Sequence, residues 1–314
     1  MPLRLATRGS VLALTQARQV AEMLGGAELV EASADGEAGD KERFVRGVER
    51  ALLAGEADVG VHSAKDLPGR MTEQLEIAAV PAREDPADVW IGTGSSLDDV
   101  PAGARVGTAS LRRRAQLLAA RPDLRVEELH GNVDTRLRKL AGGELDAIVL
   151  AAAGLRRLGR AAEIGFRLPA AAMIPAAGQG ALALQVRAGD TASAAAVAGA
   201  LDFDAARELT AERATVALLE ATCATPVGVH AQIEGEGLTV EAFVGLPDGS
   251  EWLRDRVEGT AADPVAAGTL LAERLLAAGA RDLLTRAEQE PPADGPQTSI
   301  SRTSQAHRPR EDRG

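Results

Sequence analysis

Short apolar runs alternate with longer stretches of helical spacing over the first two-thirds of the chain. Such an alternation is typical of βαβ units with parallel sheets. The pattern starts again after Pro86, which predicts two similar α/β halves. The predicted strands are 3–7, 58–61, 89–92, 104–107, 125–129 and 145–150, and the predicted helices are 10–24, 44–53, 111–120 and 135–141.

The last third of the chain has a different pattern. An apolar run at 181–186 predicts a strand that returns to the first half, and helical spacing over 205–219 ends shortly before Cys223. Beyond it, short glycine-containing turns separate three alternating segments, which indicates an antiparallel meander covered by one helix. The sequence therefore predicts a small α+β third domain with the cysteine at its entrance. Its strands are predicted at 231–234, 238–244 and 251–254, and its helix at 264–278.

These patterns predict three domains and a tail. The first domain takes residues 1–82 and 180–200, the second 86–175, and the third 204–287. Residues 288–314 are rich in Pro, Ser, Arg and Gln and have almost no large apolar side chain. Because such a segment cannot bury enough apolar surface to order itself, we expect a disordered tail.

Composition excludes several classes of function. The net charge is −11 and aromatic residues make up 2% of the chain, which argues against a nucleic-acid partner. No apolar stretch is long enough to span a membrane, and the first residues lack the apolar core of a signal peptide. The single cysteine cannot form an internal disulfide, so a cytoplasmic location without a membrane partner is expected.

Positive charge is nevertheless concentrated where strands run into helices. Residues 105–160 contain twelve Arg or Lys against six Asp or Glu, a local charge of +6. Glycine, serine and threonine at a helix N-terminus let an anion approach backbone N–H groups, and arginine adds bidentate donors. We therefore predict an anion-binding cleft. The expected ligand contacts are Arg8, Arg112, Arg113, Arg136 and Arg157, whereas helical phase favours exposed surface for Arg114, Arg138, Lys139 and Arg160.

Two further residues carry candidate chemistry. A lone cysteine such as Cys223 is more often a small buried hydrophobe, but beside arginine-lined loops it also suits covalent attachment of a polyanionic ligand. Asp66 is a carboxylate among cations, which suits it to stabilise a positive charge that forms during a reaction. His62 is interpreted as a core histidine, and no residue set has metal-ligand spacing.

Seven motifs in order give the chain a family resemblance. They lie at 6–10, 61–68, 106–113, 131–133, 153–159, 178–181 and 211–214. With them the chain resembles the porphobilinogen deaminases, also called hydroxymethylbilane synthases, from Leu3 to about Leu284. The resemblance implies two α/β domains similar to periplasmic binding proteins and a third α+β domain. It also implies a monomeric transferase of tetrapyrrole (haem) biosynthesis that joins four porphobilinogen units, releases ammonia and hydrolyses off hydroxymethylbilane.

The same resemblance assigns the site residues. It implies a dipyrromethane cofactor attached through the thiol of Cys223, and it places the catalytic carboxylate at Asp66. The expected cofactor-binding residues are Ser63, Lys65, Thr108, Ser110, Arg112, Arg113 and Asp134. The expected substrate-binding residues are Arg8, Ser10, Lys41, His130, Arg136 and Arg157.

The sequence departs from the family pattern at two places. His130 stands where the family has Arg before Gly-Asn-Val, and an imidazole is mostly neutral at cytoplasmic pH. The lid segment 35–43 is shorter than in the family and more highly charged. A second hypothesis is therefore a divergent, catalytically impaired paralogue that binds a tetrapyrrole precursor, although retention of Asp66 and Cys223 favours a working enzyme.

Overall fold

The computed structural model describes residues 2–33, 43–222 and 225–289. The elements up to residue 79 are β1 (Arg4–Arg8), α1 (Val11–Met23), β2 (Glu28–Ala32), α2 (Arg43–Leu53), β3 (Val59–Ser63) and β4 (Leu75–Ala79). The next group is β5 (Asp88–Gly92), β6 (Arg105–Gly107), α3 (Leu111–Ala120), β7 (Arg125–Glu127), α4 (Val133–Ala141), β8 (Ala147–Ala151), α5 (Ala152–Arg157) and β9 (Phe166–Arg167). The last group is β10 (Leu182–Arg187), α6 (Thr191–Val197), α7 (Phe203–Leu219), β11 (Val227–Glu234), β12 (Gly237–Gly245), β13 (Trp252–Thr260), α8 (Pro264–Ala277) and α9 (Ala280–Gln289).

Two five-stranded sheets have the same arrangement of directions. The first has the order β2-β1-β3-β10-β4 and the second the order β7-β6-β8-β5-β9. In each, the first three strands are parallel, and the next strand pairs antiparallel with its neighbours. The chain passes from β4 into the second sheet and returns with β10, as the apolar run at 181–186 predicts. The two halves are thus similar in topology.

A third, smaller sheet has the antiparallel order β11-β12-β13. Apolar residues of α7, α8 and α9 pack on it, among them Leu219, Leu271 and Leu283. Two α/β units and one small α+β unit make up the described chain, so the predicted fold class is confirmed. The domain boundaries at 82, 86, 175 and 204 remain predictions.

Helix α7 leads the chain toward the candidate cysteine. Its N-terminus is capped by the Asp202 carboxylate, which accepts a hydrogen bond from the backbone N–H of Ala205. It ends at Glu220, which adopts a left-handed conformation with φ of 57°. This conformation ends the helix and turns the chain away from its axis. Beyond residue 222 the description resumes at Thr225 and β11.

Several observed elements are longer than predicted or were not predicted. Strands β2 and β4 lie at the two edges of the first sheet, where half-exposed positions weaken the apolar alternation. Strand β11 begins at Val227 and includes Gly228, where a Cβ would lie 2.6 Å from the carbonyl oxygen of Ile174. Helix α9 extends to Gln289, two residues into the predicted tail. Among the described residues, no helix is long and apolar enough to cross a membrane.

Candidate active site

Loops at the carboxyl ends of β1, β3 and β6 lie around two adjoining cavities. The first has a volume of about 310 Å³ and the second about 690 Å³. Ligands of open α/β sheets bind beyond the carboxyl ends of the strands, and these cavities occupy that position. The residues that line both of them are Lys65, Asp66, Arg113, His130 and Arg136.

The structure brings most of the predicted site residues to these cavities. Thr108 lines neither, because it is buried and its hydroxyl accepts a hydrogen bond from the Ser110 backbone N–H at 3.2 Å. Lys41 and Cys223 lie outside the described residues, as does most of the predicted lid. The first cavity is also lined by Ser110 and Arg112, and the second by Arg8, Ser10, Ser63, Asp134 and Arg157.

Asp66 is the last residue of a short 3₁₀ helix, Ala64–Asp66, that follows β3. Its Oδ2 accepts a hydrogen bond at 3.1 Å from Nη1 of Arg8, which lies at the end of the neighbouring strand β1. Both side chains keep about a third of their surface exposed, 32% for Arg8 and 40% for Asp66. The arginine therefore holds the carboxylate while leaving part of it open to a ligand.

Lys65 precedes Asp66 and lines both cavities. Its Nζ donates a hydrogen bond to Oε1 of Gln179 at 3.2 Å. Burial, together with the nearby positive charge of Arg113, lowers the pKa of the Lys65 ammonium to about 8, although Asp66 and Asp88 oppose the shift. At neutral pH most of the Lys65 side chain is still protonated, but its neutral fraction is larger than that of an exposed lysine.

Arg112 and Arg113, in the first turn of α3, share one buried carboxylate. Asp88 Oδ2 lies 2.7 Å from Arg112 Nη1, and Asp88 Oδ1 lies 2.8 Å from Arg113 Nε. Burial alone would raise the pKa of the Asp88 carboxyl, but the two guanidiniums outweigh it and hold that pKa well below its usual range. Two cations against one anion leave net positive charge at the cavity wall.

Arg136 and Arg157 are bound only to backbone oxygens within the described residues. Arg136 Nε donates to the Gly131 carbonyl at 2.9 Å, and Arg157 Nη2 donates to the Gly180 carbonyl at 2.8 Å. Burial, and after it the charge of Arg113, lowers the pKa of Arg136 to about 10, and burial also lowers the pKa of Arg157. A carboxylate ligand would relieve this unfavourable burial of charge.

The predicted serine ligands have structural partners of their own. Ser10 and Ser110 cap helices α1 and α3, accepting hydrogen bonds from backbone N–H groups of Ala13 and Arg113 at 3.3 and 3.4 Å. Ser63 exchanges hydrogen bonds with the Gln16 amide at 2.9 and 3.2 Å. The N-termini of α1 and α3 consequently lie at the cavities, where helix ends favour anions.

His130 and Asp134 differ from the other predicted ligands. The His130 Nε2 lies 2.7 Å from Glu128 Oε1, and both side chains are 67% exposed. Asp134 receives a hydrogen bond of 2.6 Å from Arg160, a residue predicted as free helix surface. The arginine neutralises this acid, so Asp134 does not cancel the positive charge of the cleft. Its role in cofactor binding remains a prediction.

His62 is a buried histidine, as interpreted from the sequence. Its Nε2 lies 2.9 Å from Oε1 of Gln185 on the adjacent strand β10. Burial lowers the pKa of His62 to about 4, which the Gln185 hydrogen bond only partly opposes. The ring is therefore neutral at physiological pH.

Sequence reasoning did not identify four polar residues, of which Gln179 and Arg213 line the first cavity while Arg83 and Glu212 line neither cavity. Glu212 is completely buried and binds Arg83 at 2.8 Å, and its carboxylate also accepts hydrogen bonds from the backbone N–H groups of Gly178 and Ala231. Gln179 contacts Lys65, while Arg213 lines the first cavity. Three of the four, Gln179, Glu212 and Arg213, lie in motifs quoted for the family resemblance, whereas no sequence signal marks Arg83.

Comparison with known families accounts for most of the chain. A family model described as "Porphobilinogen deaminase, dipyromethane cofactor binding domain" matches residues 3–195, and one described as "Porphobilinogen deaminase, C-terminal domain" matches 206–277. The porphobilinogen deaminase of Syntrophus aciditrophicus is 44% identical over 92% of this chain and 100% of its own. That of Thiobacillus denitrificans is 49% identical over 78% of this chain and 81% of its own.

Two solved periplasmic binding proteins show distant similarities. A TRAP periplasmic solute binding protein from Desulfovibrio salexigens has 11% identity and a TM-score of 0.38, covering 62% of this chain and 70% of that one. A periplasmic binding protein from Brucella ovis has 19% identity and a TM-score of 0.38, and the match covers 62% of this chain and 65% of that one. The fold class accordingly depends on the strand orders given above, while the matched domains and relatives place the chain in the porphobilinogen deaminase family.

Proposed function

We propose that the chain is a working porphobilinogen deaminase, a transferase that joins four porphobilinogen units head to tail with release of ammonia and releases hydroxymethylbilane by hydrolysis. The observation that carries the proposal is the position of Asp66. It is the only acidic residue among the described groups that line the first cavity, where it lies with Lys65, Arg113 and Arg136. In the second cavity the other acid, Asp134, is paired with Arg160.

The wall charges suit the substrate. Each porphobilinogen has an acetate and a propionate arm, so a growing chain gains two carboxylates at every addition. Arg136 and Arg157 have no salt-bridge partner in the described part of the chain, and Arg112 and Arg113 share a single carboxylate. Guanidinium groups bind carboxylates with two parallel hydrogen bonds, so several pyrrole arms can be held together.

The same residues fit the dipyrromethane cofactor, whose two rings carry four carboxylates. Thr222 and Thr225, which flank Cys223 in the sequence, line the first cavity together with Lys65, Arg112 and Arg113. These three cations would hold the cofactor arms. When bound through Cys223, the cofactor supplies the free pyrrole carbon to which the first substrate ring is joined.

Asp66 has two tasks in this proposal. One oxygen accepts a hydrogen bond from the pyrrole N–H of porphobilinogen, and its negative charge stabilises the positive ring that remains when ammonia leaves. After the new carbon–carbon bond forms, the proton on the attacking carbon must depart, and the carboxylate is placed to receive it. The Arg8 guanidinium, 3.1 Å from one Asp66 oxygen, would orient the carboxylate.

Mass spectrometry and one variant test the proposal. The purified chain should carry two linked pyrroles on Cys223, and Cys223→Ser should carry none. Asp66→Asn should lower kcat by roughly a hundred-fold or more, since it removes charge stabilisation at the reacting ring. Asp58→Asn is the control, because Asp58 pairs with Arg4 at the other end of the first sheet. An unmodified Cys223 thiol, or full activity in Asp66→Asn, would refute the proposal.

We also propose that the enzyme acts as a monomer in the cytoplasm, with the family resemblance in support. Light scattering coupled to size-exclusion chromatography would test the first part, and a mass of two chains would contradict it. Fractionation of cells that express the chain would test the second.

A further inference from the structure

We propose that Gln179 is a positioning residue for the reaction, and that its side-chain amide holds the Lys65 ammonium in a fixed direction in the cleft. This inference rests on the proposed function, because it assigns Lys65 to the binding of pyrrole carboxylates. Gln179 lies in the segment that leads from the second sheet back to β10, and 1% of it is exposed.

All polar atoms of the Gln179 side chain are engaged. Oε1 accepts from Lys65 Nζ at 3.2 Å, while Nε2 donates to the Pro86 carbonyl at 2.7 Å and to Asp88 Oδ1 at 3.1 Å. The two acceptors fix the amide orientation. A flipped amide would place NH₂ against the ammonium and the oxygen against the carboxylate, so Oε1 must face Lys65.

The backbone around Gln179 is held equally firmly. Its carbonyl accepts from Arg83 Nε at 3.0 Å, and the preceding Gly178 N–H donates to Glu212 at 2.6 Å. Gly178 has φ of 71°, and a Cβ there would lie 2.8 Å from the carbonyl carbon of Ala64. Glycine therefore lets this segment lie directly against the turn that carries Lys65.

A neutral acceptor suits a lysine that must bind ligand. An ammonium has three donors, and Gln179 takes one without supplying a charge that would compete with a carboxylate ligand. Four charged groups face Lys65. They are Arg112 and Arg113 of α3, Asp88 of β5, and Asp66, which follows Lys65 in the sequence. Because burial and Arg113 already lower the Lys65 pKa to about 8, loss of the acceptor should lower it further.

Gln179→Met tests the proposal, because methionine keeps the length of the side chain and removes every hydrogen bond. The direct readout is the pH dependence with which Lys65 is reductively methylated, followed on its peptide by mass spectrometry. The midpoint should fall by about one pH unit, the size of a hydrogen bond to a charged group. An unchanged midpoint would overturn the proposal, whether or not the protein is active.

Gln185→Met is the matched control. Gln185 is also buried, lies on neighbouring β10, and binds His62 and Glu49 rather than Lys65. It should lower stability without moving the Lys65 midpoint. An equal shift in both variants would show a general structural effect and refute the assignment.

Kinetics supply a second measurement. In Gln179→Met the alkaline fall of kcat/KM should begin at lower pH, with KM rising several-fold more than kcat falls. In a Lys65→Met background the same substitution should change the residual kcat/KM less than about twofold, because a residue acting through Lys65 has nothing left to position. Independent, multiplicative losses would contradict the proposal. A wild type that consumes no porphobilinogen would instead refute the proposed function, and the labelling result would still decide the role of Gln179.

Discussion

Asp88→Asn should be among the most destabilising single-atom changes near the cleft. The carboxylate is completely buried and accepts three hydrogen bonds from guanidinium groups, two from Arg112 at 2.7 and 3.1 Å and one from Arg113 at 2.8 Å. The asparagine amide keeps the shape but removes the charge, leaving two buried guanidiniums without a counterion. Removing one partner of a buried ion pair costs about 3–5 kcal/mol, and we expect a loss in that range.

Urea denaturation at neutral pH would measure this loss. Asp58→Asn is the comparison, because Asp58 also makes three hydrogen bonds with one arginine, Arg4, but the pair is more exposed. Its loss should stay below about 1 kcal/mol. The Asp88 pKa is depressed in the folded protein, so the Asp88→Asn penalty should be full above the usual value of 3.8 and shrink as the pH falls below it. Equal costs for the two variants would refute the reasoning.

Three further predictions concern the cleft. Gly178→Ala should lower kcat/KM and cost about 1–2 kcal/mol of stability, because φ is 71° and the new Cβ would press on the Ala64–Lys65 backbone; kinetics and urea titration measure both. Arg213→Gln should raise KM for porphobilinogen about tenfold with little change in kcat, since Arg213 lines the first cavity and binds only the Gly69 carbonyl among the described residues; Arg207→Gln, exposed on the same helix, should leave KM unchanged. His130→Arg should lower KM for porphobilinogen, since His130 lines both cavities and a guanidinium binds a carboxylate with two parallel hydrogen bonds; an unchanged KM would contradict this.

Part of the cleft could be predicted from the sequence because it follows from strand order. In an α/β sheet the carboxyl ends of parallel strands share one edge, so the loops beginning at Arg8 and Ser63 had to meet at the edge of the first sheet. The loop beginning at Gly107 lies at the equivalent edge of the second sheet, and strand order alone does not place the two edges together. The helices with strong apolar spacing could also be predicted, because local periodicity alone indicates a helix. Strands β2 and β4 could not be, because most of their positions are only partly buried or exposed, which leaves a weak pattern of apolar residues.

The partners of the predicted ligands could not be obtained from local sequence. Arg112 and Arg113 bind an aspartate 24 and 25 residues earlier in the chain, on a strand that is not adjacent to β6. The Ser110 hydroxyl caps helix α3 at the first cavity, a contact that spacing alone did not reveal, and its role in cofactor binding remains a prediction. Gln179 contacts Lys65 across 114 residues. Such contacts depend on tertiary packing, which sequence spacing does not encode.

The charge arrangement explains how one cleft can be both stable and attractive to anions. Complete neutralisation of Arg112 and Arg113 would need two buried acids, and this part of the cavity wall would then carry no net positive charge. With Asp88 alone, the guanidiniums are fixed in place while one positive charge remains for a ligand. Gln179 extends the same principle to Lys65, because it positions a cation without neutralising it. The carboxylates of bound pyrroles would then neutralise the positive charge that remains on the cleft wall.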